Sequence, residues 1–246
     1  MPTALDRMDK RRKVSAGFTL VELMAVVAIS GILMALLLPA LSSAKEKSRR
    51  CVCKANIEQV LSAFHFYAND FEDYLPTAAD DQGDYHAIIL SDFTFTTLSS
   101  PEYLGGETNS FYCPNLEYAM GQMGGYRANV GYTIGYGYLA TNDLISSSKG
   151  PFNWVSPQRT TDTPGAIFAD ANYWNGGLTI APHSSAGSVV ACVASASQQL
   201  TIATNSASAG AVGGNEGFID GHVDWRSIHS MQTYPASSDG SAYGNW

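Results

Sequence analysis

The hydrophobic pattern divides the chain into one long apolar run near its beginning and a mixed remainder. Residues 18–38 contain a single ionisable side chain, that of Glu22. As a helix this run would extend about 31 Å, which matches the hydrocarbon core of a bilayer. A helix buried in a soluble protein would normally have polar residues along one face, and this run has no such face. The pattern therefore predicts a membrane-spanning helix over residues 18–38.

The helical pattern continues beyond the apolar run. Pro39 removes a backbone donor, so we expect a kink there. After it, apolar residues recur at three- and four-residue spacing, which is typical of a helix with one buried face. The spacing predicts one helix over residues 18–70, with its second half packed on a sheet. The stripe consists of Ile57, Val60, Leu61, Phe64, Ala68 and Phe71.

The remainder, residues 71–246, has the pattern of an α+β domain. Residues 86–104 are mixed and moderately helical. The better strand candidates are 126–139, 166–169 and 217–226, which are short, aromatic or β-branched, and bounded by Gly, Pro and Asn. Their connections predict a mostly antiparallel sheet.

Charge is distributed unevenly along the chain. The leader, residues 1–17, carries a net charge of +3, whereas residues 55–246 carry four basic against eighteen acidic side chains, a net charge of −14. Basic flanks stay in the cytoplasm, so we expect the carboxyl-terminal domain to cross the membrane, although the second basic cluster at 45–54 would cross with it. A domain this acidic repels nucleic-acid phosphates, and we expect no nucleic-acid partner.

The junction of the basic leader and the apolar run, residues 13–23, resembles the processing site of type IV pilins and type II secretion pseudopilins. The resemblance implies that a prepilin peptidase cuts after Gly17 and methylates the new amino terminus at Phe18. It also implies that Glu22 pairs with a neighbouring subunit during polymerisation, and that Pro39 lies where pilins carry a helix proline. The fold it implies is pilin-like, a long amino-terminal α-helix on a mostly antiparallel β-sheet head.

Two other interpretations of this segment stay open. A secretory signal peptide would be cut within residues 37–44, although its apolar region is usually shorter. An uncleaved signal anchor would explain the length and the basic flank but gives no reason for Glu22, because an intramembrane charge is usually functional.

The head resembles a narrower group of pilin-like proteins, labelled by a histidine followed nine residues later by Asp-Gly. The matching phrases are 53–59, 67–70, 74–76, 113–114, 166–170 and 218–223. In this chain the histidine position before Asp220 is Gly210, and the nearest upstream histidine is His183. If residues 184–212 are an insertion, His183 is the equivalent residue. Within that segment, 189–193 and 200–204 would form a hairpin, or the whole segment is a flexible insertion.

The chain offers one group of candidate metal ligands. Asp170, Asp220 and Asp224 are carboxylates suited to calcium, which some major pseudopilins hold in a carboxyl-terminal loop. With His183 and His222 nearby in sequence, a transition metal is an alternative. The competing interpretation is a hairpin turn at Asp220-Gly221, with Gly221 at positive φ. No catalytic residue is predicted, and calcium is the favoured cofactor of the two.

Four cysteines are present, at 51, 53, 113 and 192. An oxidising compartment permits disulfides, and Cys53 with Cys113 is the pair we expect. Buried free thiols are the alternative, since sequence alone does not give a pairing.

The function implied by the resemblance is structural. The chain would be a single-pass precursor in the bacterial inner membrane with a periplasmic head, polymerising into a periplasmic or extracellular filament. Its partners would be identical or related pilins, a prepilin peptidase and an assembly platform. Alternatives are a minor pilin whose head binds a ligand or secreted substrate, and a membrane-anchored hydrolase using His183 with Asp170 or Asp220. The sequence does not separate a secretion pseudopilus from a surface pilus, or a major from a minor subunit.

Overall fold

The computed structural model describes residues 18–116, 125–141, 155–162, 165–184, 187–192 and 205–246. It begins with one long helix, α1 (Leu20–Asp70), which includes Pro39 and confirms the predicted extent. The apolar side chains of its first part are exposed, those of Leu20, Ile32 and Leu38 by 63–73 %. This helix is long and apolar enough to cross a membrane.

The helix residues from Ala44 onward belong to a compact unit that extends to Trp246. The predicted stripe is buried there, and Ile57, Val60 and Phe64 are fully inaccessible to solvent. Phe71 is the exception. It lies just past the end of α1, is 45 % exposed, and stacks on Tyr67.

The remaining elements are short. The helical ones are α2 (Asp92–Leu98), capped by the Ser91 hydroxyl, and a 3₁₀ turn at Asn109–Phe111. The strands are β1 (Ile89–Leu90), β2 (Gly125–Arg127), β3 (Gly131–Thr133), β4 (Tyr136–Tyr138), β5 (Ala166–Asp170), β6 (Tyr173–Asn175), β7 (Leu178–Ser184), β8 (Gly187–Cys192), β9 (Gly213–Phe218), β10 (Val223–Ser227), β11 (Thr233–Pro235) and β12 (Ala242–Asn245).

In the described part of the chain these strands form three sheets, ordered β1-β3-β2, β10-β9-β5-β4 and β11-β12-β6-β7-β8. Every pairing between named strands is antiparallel. Helix and antiparallel sheets together confirm the α+β, pilin-like fold class.

The four-stranded sheet packs closely on the second part of α1. The ring of Phe64 stacks on Tyr138 of β4 at 4.8 Å and meets Phe168 of β5 edge-on at 5.7 Å, between ring centroids. On β9 the backbone of Gly217 approaches the helix so closely that a Cβ there would lie 2.6 Å from Ile57 Cγ2. Glycine is therefore required for this helix–sheet contact.

Two strand predictions need correction. Residues 126–139 contribute to three short strands rather than forming one. Asn129 and Gly131 take positive φ and turn the chain between β2 and β3. Residues 217–226 form a hairpin around Asp220-Gly221 rather than one strand. Its strands β9 and β10 are antiparallel, and Val223 pairs with Gly217 next to the turn. Residues 86–104 are mixed, as predicted, with the short strand β1 followed by the helix α2.

The ends of the segment 184–212 lie side by side. The Val212 amide donates to the His183 carbonyl at 2.9 Å, and Ser184 bridges to Ala211. The two ends of the segment are thus adjacent, and between them β8 adds an edge strand to the five-stranded sheet. The first half of the predicted hairpin overlaps β8, which pairs with β7. Its other half, residues 200–204, lies outside the described residues.

Candidate functional site

The start of α1 contains a capping box. Thr19 precedes the first helical residue, and its backbone amide and hydroxyl both donate to Glu22 Oε2 at 2.8 Å. The Glu22 amide donates back to Thr19 Oγ1 at 3.2 Å. This reciprocal pattern satisfies donors that a helix start leaves free. Glu22 therefore has a local role in the helix that the sequence reasoning missed, although the spacing Thr-x-x-Glu signals it. Gly17 lies outside the described residues.

Four potential metal ligands converge inside the head. Cys53 comes from α1, Cys113 follows the 3₁₀ turn, Asp170 ends β5, and His183 lies near the end of β7. Their ligand atoms all lie within 4.8 Å of one another, and all four residues are buried. The sequence placed two of them, Asp170 and His183, in one candidate group but gave the cysteines a different role.

The distances within the cluster are short. His183 Nε2 lies 3.3 Å from Asp170 Oδ2 and 4.0 Å from Cys113 Sγ. The sulfurs of Cys53 and Cys113 lie 3.0 Å apart, which places the predicted disulfide partners side by side. That separation exceeds the roughly 2.05 Å of a covalent disulfide. Cys51, two residues earlier on α1, is exposed.

A second layer of polar residues orients His183. Its Nδ1 lies 2.8 Å from Glu46 Oε1. Arg50 Nε donates to the same oxygen at 3.1 Å, and Asn115 Nδ2 donates to Glu46 Oε2 at 2.9 Å. The Arg50 guanidinium also lies 4.2 Å from the centre of the Trp225 ring, whose edge faces His183. Glu46 thus sits at the centre of a network that sequence reasoning did not find.

In the described part of the chain, hydrogen bonds reach only one of the two carboxylate oxygens of Asp170. Its Oδ2 accepts hydrogen bonds from the backbone amide of Asn215 at 2.6 Å and from Asn215 Nδ2 at 2.9 Å. Its Oδ1 is buried and has no hydrogen-bond partner within the described part of the chain. Such an oxygen in a native core is uncommon and requires an explanation.

The close contacts between these buried groups shift their pKa values. Burial disfavours the charged imidazole, but the charge and hydrogen bond of Asp170 outweigh it and raise the pKa of His183 to about 10. Burial alone would raise the pKa of Glu46, but the hydrogen bonds from Asn115, His183 and Arg50 outweigh it and lower that pKa.

The pKa of the Cys53 thiol is also shifted. The hydrogen bond to Cys113, together with burial, raises it far above its ordinary value.

The other two predicted calcium ligands, Asp220 and Asp224, are exposed to solvent, unlike Asp170. Asp220 and Asp224 have side chains that are 56 % and 69 % exposed, whereas that of Asp170 is inaccessible. Among the described residues, the group of possible ligands that converges includes Asp170 but neither Asp220 nor Asp224. The structure does not bring the three carboxylates together.

Asp220 and Gly221 form the hairpin turn that the sequence predicted. Gly221 has φ +90°, and the Phe218 amide donates to the His222 carbonyl at 2.9 Å across the turn. Asp220 Oδ1 accepts from the His222 amide at 3.2 Å, and this bond, with that of the His222 ring, lowers the pKa of Asp220. The turn interpretation is confirmed.

Comparison with known proteins gives one family match and one similar relative. The family model described as the prokaryotic N-terminal methylation motif matches residues 12–38. The type II secretion system core protein G of Pseudomonas aeruginosa is 38 % identical over 60 residues, which is 24 % of this chain and 42 % of that protein. The match thus spans less than half of the relative. No solved structure matches. Both matches support a place in the type IV pilin-like and pseudopilin family.

Proposed function

We propose that this chain is a structural subunit, a pilin or pseudopilin, of a type IV pilus-like or type II secretion filament. The observation that carries the proposal is the methylation motif over residues 12–38, which overlaps the exposed apolar first part of α1, where Glu22 is the one carboxylate before Pro39. Its relative in Pseudomonas aeruginosa is by name a core protein of a type II secretion system.

Processing would occur at the border between the leader and the helix. A prepilin peptidase would cut after Gly17 and leave a methylated amino group on Phe18, next to the capping residue Thr19. The leader would remain in the cytoplasm because of its basic charge, and the head would face the periplasm. An inner-membrane assembly platform would then extract the subunit from the bilayer.

The exposed apolar side chains of α1 need either lipid or neighbouring helices around them. In a filament, helices of other subunits would replace the lipid. The charge of Glu22 costs about 3 kcal/mol at the centre of a bilayer and less near its surface. Pairing with the free amino group of a neighbouring subunit's Phe18 would offset this cost and fix the stagger between subunits.

The capping box allows charge and helix capping to be tested separately. Glu22→Gln keeps a side chain that caps the helix but removes the charge. Glu22→Asp keeps the charge, and Thr19→Ala removes the cap while leaving Glu22 ionisable. We expect all three variants to reach the membrane fraction. Filaments are expected from Thr19→Ala, in reduced amounts from Glu22→Asp, and not from Glu22→Gln.

The measurement is the amount of subunit in sheared or purified filaments relative to that in the membrane fraction. Wild-type levels of Glu22→Gln in filaments, with loss of Thr19→Ala, would assign Glu22 to helix capping alone. Absence of any filament containing the wild-type chain, in cells that express its peptidase and platform, would overturn the proposed function.

A further inference from the structure

We propose that Cys53, Cys113, Asp170 and His183 bind one divalent transition-metal ion, with zinc as the best match, in the core of the head. Thiolate, imidazole and carboxylate are the ligands that zinc takes in proteins, and four of them complete a tetrahedral site. The inference concerns the head and does not depend on the proposed filament function.

The separations between the ligand atoms fit such an ion. Ligands at 2.0–2.3 Å from zinc with tetrahedral angles lie about 3.3–3.8 Å from one another. The distance from His183 Nε2 to Asp170 Oδ2 is 3.3 Å, that to Cys113 Sγ is 4.0 Å, and the two sulfurs are 3.0 Å apart. All four ligand atoms lie within 4.8 Å of one another, so side-chain movements of about 1 Å would bring them onto one ion.

The second layer has the form that zinc sites use. Histidines that bind metals almost always donate their other ring N–H to a carboxylate or carbonyl, which fixes the tautomer. Here Glu46 Oε1 lies 2.8 Å from Nδ1, the position from which a carboxylate would accept its N–H, and Asn115 Nδ2 lies 3.0 Å from the same nitrogen. Nε2 lies within 4.0 Å of Asp170 Oδ2 and Cys113 Sγ. Glu46 is itself held by Arg50 and Asn115.

The buried oxygen of Asp170 gives an independent reason for an ion. Asn215 donates twice to Oδ2, whereas Oδ1 is left without a partner among the described residues. An ion held at the cluster would place positive charge beside this carboxylate, whose Oδ1 no donor of the described residues reaches. Binding would release to solvent the protons carried by the two thiols and the imidazole.

The proposed site is structural rather than catalytic. All four positions are protein ligands, so no position remains for water or substrate. The ion would connect α1 directly to β5 and β7. It would stabilise the head by joining residues as far apart in the sequence as Cys53 and His183, which are 130 positions apart. A Cys53–Cys113 disulfide would use the same sulfurs and exclude the ion.

The test uses the full-length chain purified in mild detergent without chelator or reductant. Native mass spectrometry and elemental analysis should give about one zinc ion per chain. Replacement by Co²⁺ should produce the thiolate-to-cobalt charge-transfer absorption. Alkylation should label Cys51 at once, and Cys53 and Cys113 only after a chelator and denaturant are added.

Variants locate the ion within the chain. Asp170→Asn and Cys113→Ser should lower the zinc content at least tenfold, whereas Cys51→Ser should retain it, because Cys51 is exposed on the same helix. Glu46→Gln should weaken binding about 10- to 100-fold without abolishing it.

Three results would overturn the proposal. The first is recovery of a disulfide-linked Cys53–Cys113 peptide from the metal-free wild-type protein. The second is a wild-type chain that binds neither Zn²⁺ nor Co²⁺ with both thiols reduced, a measurement that needs no variant to fold. The third is equal zinc loss in Cys51→Ser and Cys113→Ser.

Discussion

Glu46 and His183 are in contact through Oε1 and Nδ1 at 2.8 Å, although 137 positions separate them in the chain. Glu46 lies on α1 and His183 on β7, so this contact connects the helix to the five-stranded sheet. The Glu46 side chain is 12 % exposed and that of His183 is inaccessible. The contact is therefore a buried, charge-assisted link between two layers of the head.

Removal of the Glu46 charge should destabilise the head. In Glu46→Gln the His183 ring and Arg50 lose their charged acceptor, and the free energy of unfolding should fall by about 2 kcal/mol. Urea unfolding of the detergent-solubilised chain, followed by tryptophan fluorescence, measures this. The control is Glu58→Gln, an exposed position on the same helix, which should change little. Equal stability of both variants would show that the Glu46 network contributes nothing.

Local sequence signals predicted the local structure. The stripe from Ile57 to Ala68 places one helix face in the core, and the Asp220-Gly221 turn follows from glycine's access to positive φ. Each of these depends on residues a few positions apart. The strand boundaries between 126 and 139 were missed because positive φ at Asn129, a non-glycine residue, has only a weak sequence signal.

The buried cluster could not be predicted in the same way. It combines Cys53, Cys113, Asp170 and His183 from four elements, and which strand borders which helix is decided by packing of the whole head. Some signals were present. Cys53 continues the apolar stripe four residues before Ile57, which directs it inward, and Asp170 ends a strand that is buried throughout. Glu46 gave none, since it stands in a charged stretch of helix.

The close contact between β9 and α1 should make Gly217 intolerant of a side chain. In Gly217→Ala the new Cβ would lie 2.6 Å from Ile57 Cγ2 and 2.9 Å from Leu61 Cδ1. Overpacking of this kind typically costs about 1–3 kcal/mol. Urea unfolding should show that loss, whereas Gly176→Ala, which meets no atom within 4 Å, should be nearly neutral. A Gly217→Ala variant as stable as Gly176→Ala would contradict the packing described.

The hairpin turn should depend on the backbone conformation of Gly221. Its φ of +90° is unfavourable for residues with a Cβ, and Gly221→Ala should cost about 1–2 kcal/mol. Gly221→Asn should cost less, since asparagine enters the left-handed region more readily. Thermal unfolding by circular dichroism ranks the two variants. The reverse order would indicate that the turn conformation differs from the one described.

Glu216 should make the head less stable as pH rises. Burial raises the pKa of Glu216 from 4.5 to about 7. The positive charge of Arg226, whose Nε lies 3.1 Å from Glu216 Oε2, opposes this shift, and the negative charge of Asp224 adds to it. The charge of Glu216 in turn contributes to raising the pKa of Tyr234, after burial. Between pH 4.5 and about 7 the folded state holds the proton more tightly than the unfolded state, so the free energy of unfolding falls with pH, by up to about 3 kcal/mol.

The variant Glu216→Gln isolates this effect. Its free energy of unfolding should lose the downward slope between pH 4.5 and 7, whereas Glu102→Gln, at an exposed position, should keep the wild-type slope. Urea titrations at several pH values measure both. If Glu216→Gln and the wild type have parallel profiles, the Glu216 carboxyl titrates normally in the folded protein.

The assignment as a pilin or pseudopilin depends most directly on the mature amino terminus. Mass spectrometry of the chain from cells with and without the prepilin peptidase determines it. We expect a chain that begins with N-methylated Phe18 when the peptidase is present, and the full precursor with its leader when it is absent. An intact Met1 in cells with active peptidase, or cleavage near Ala40, would contradict the account.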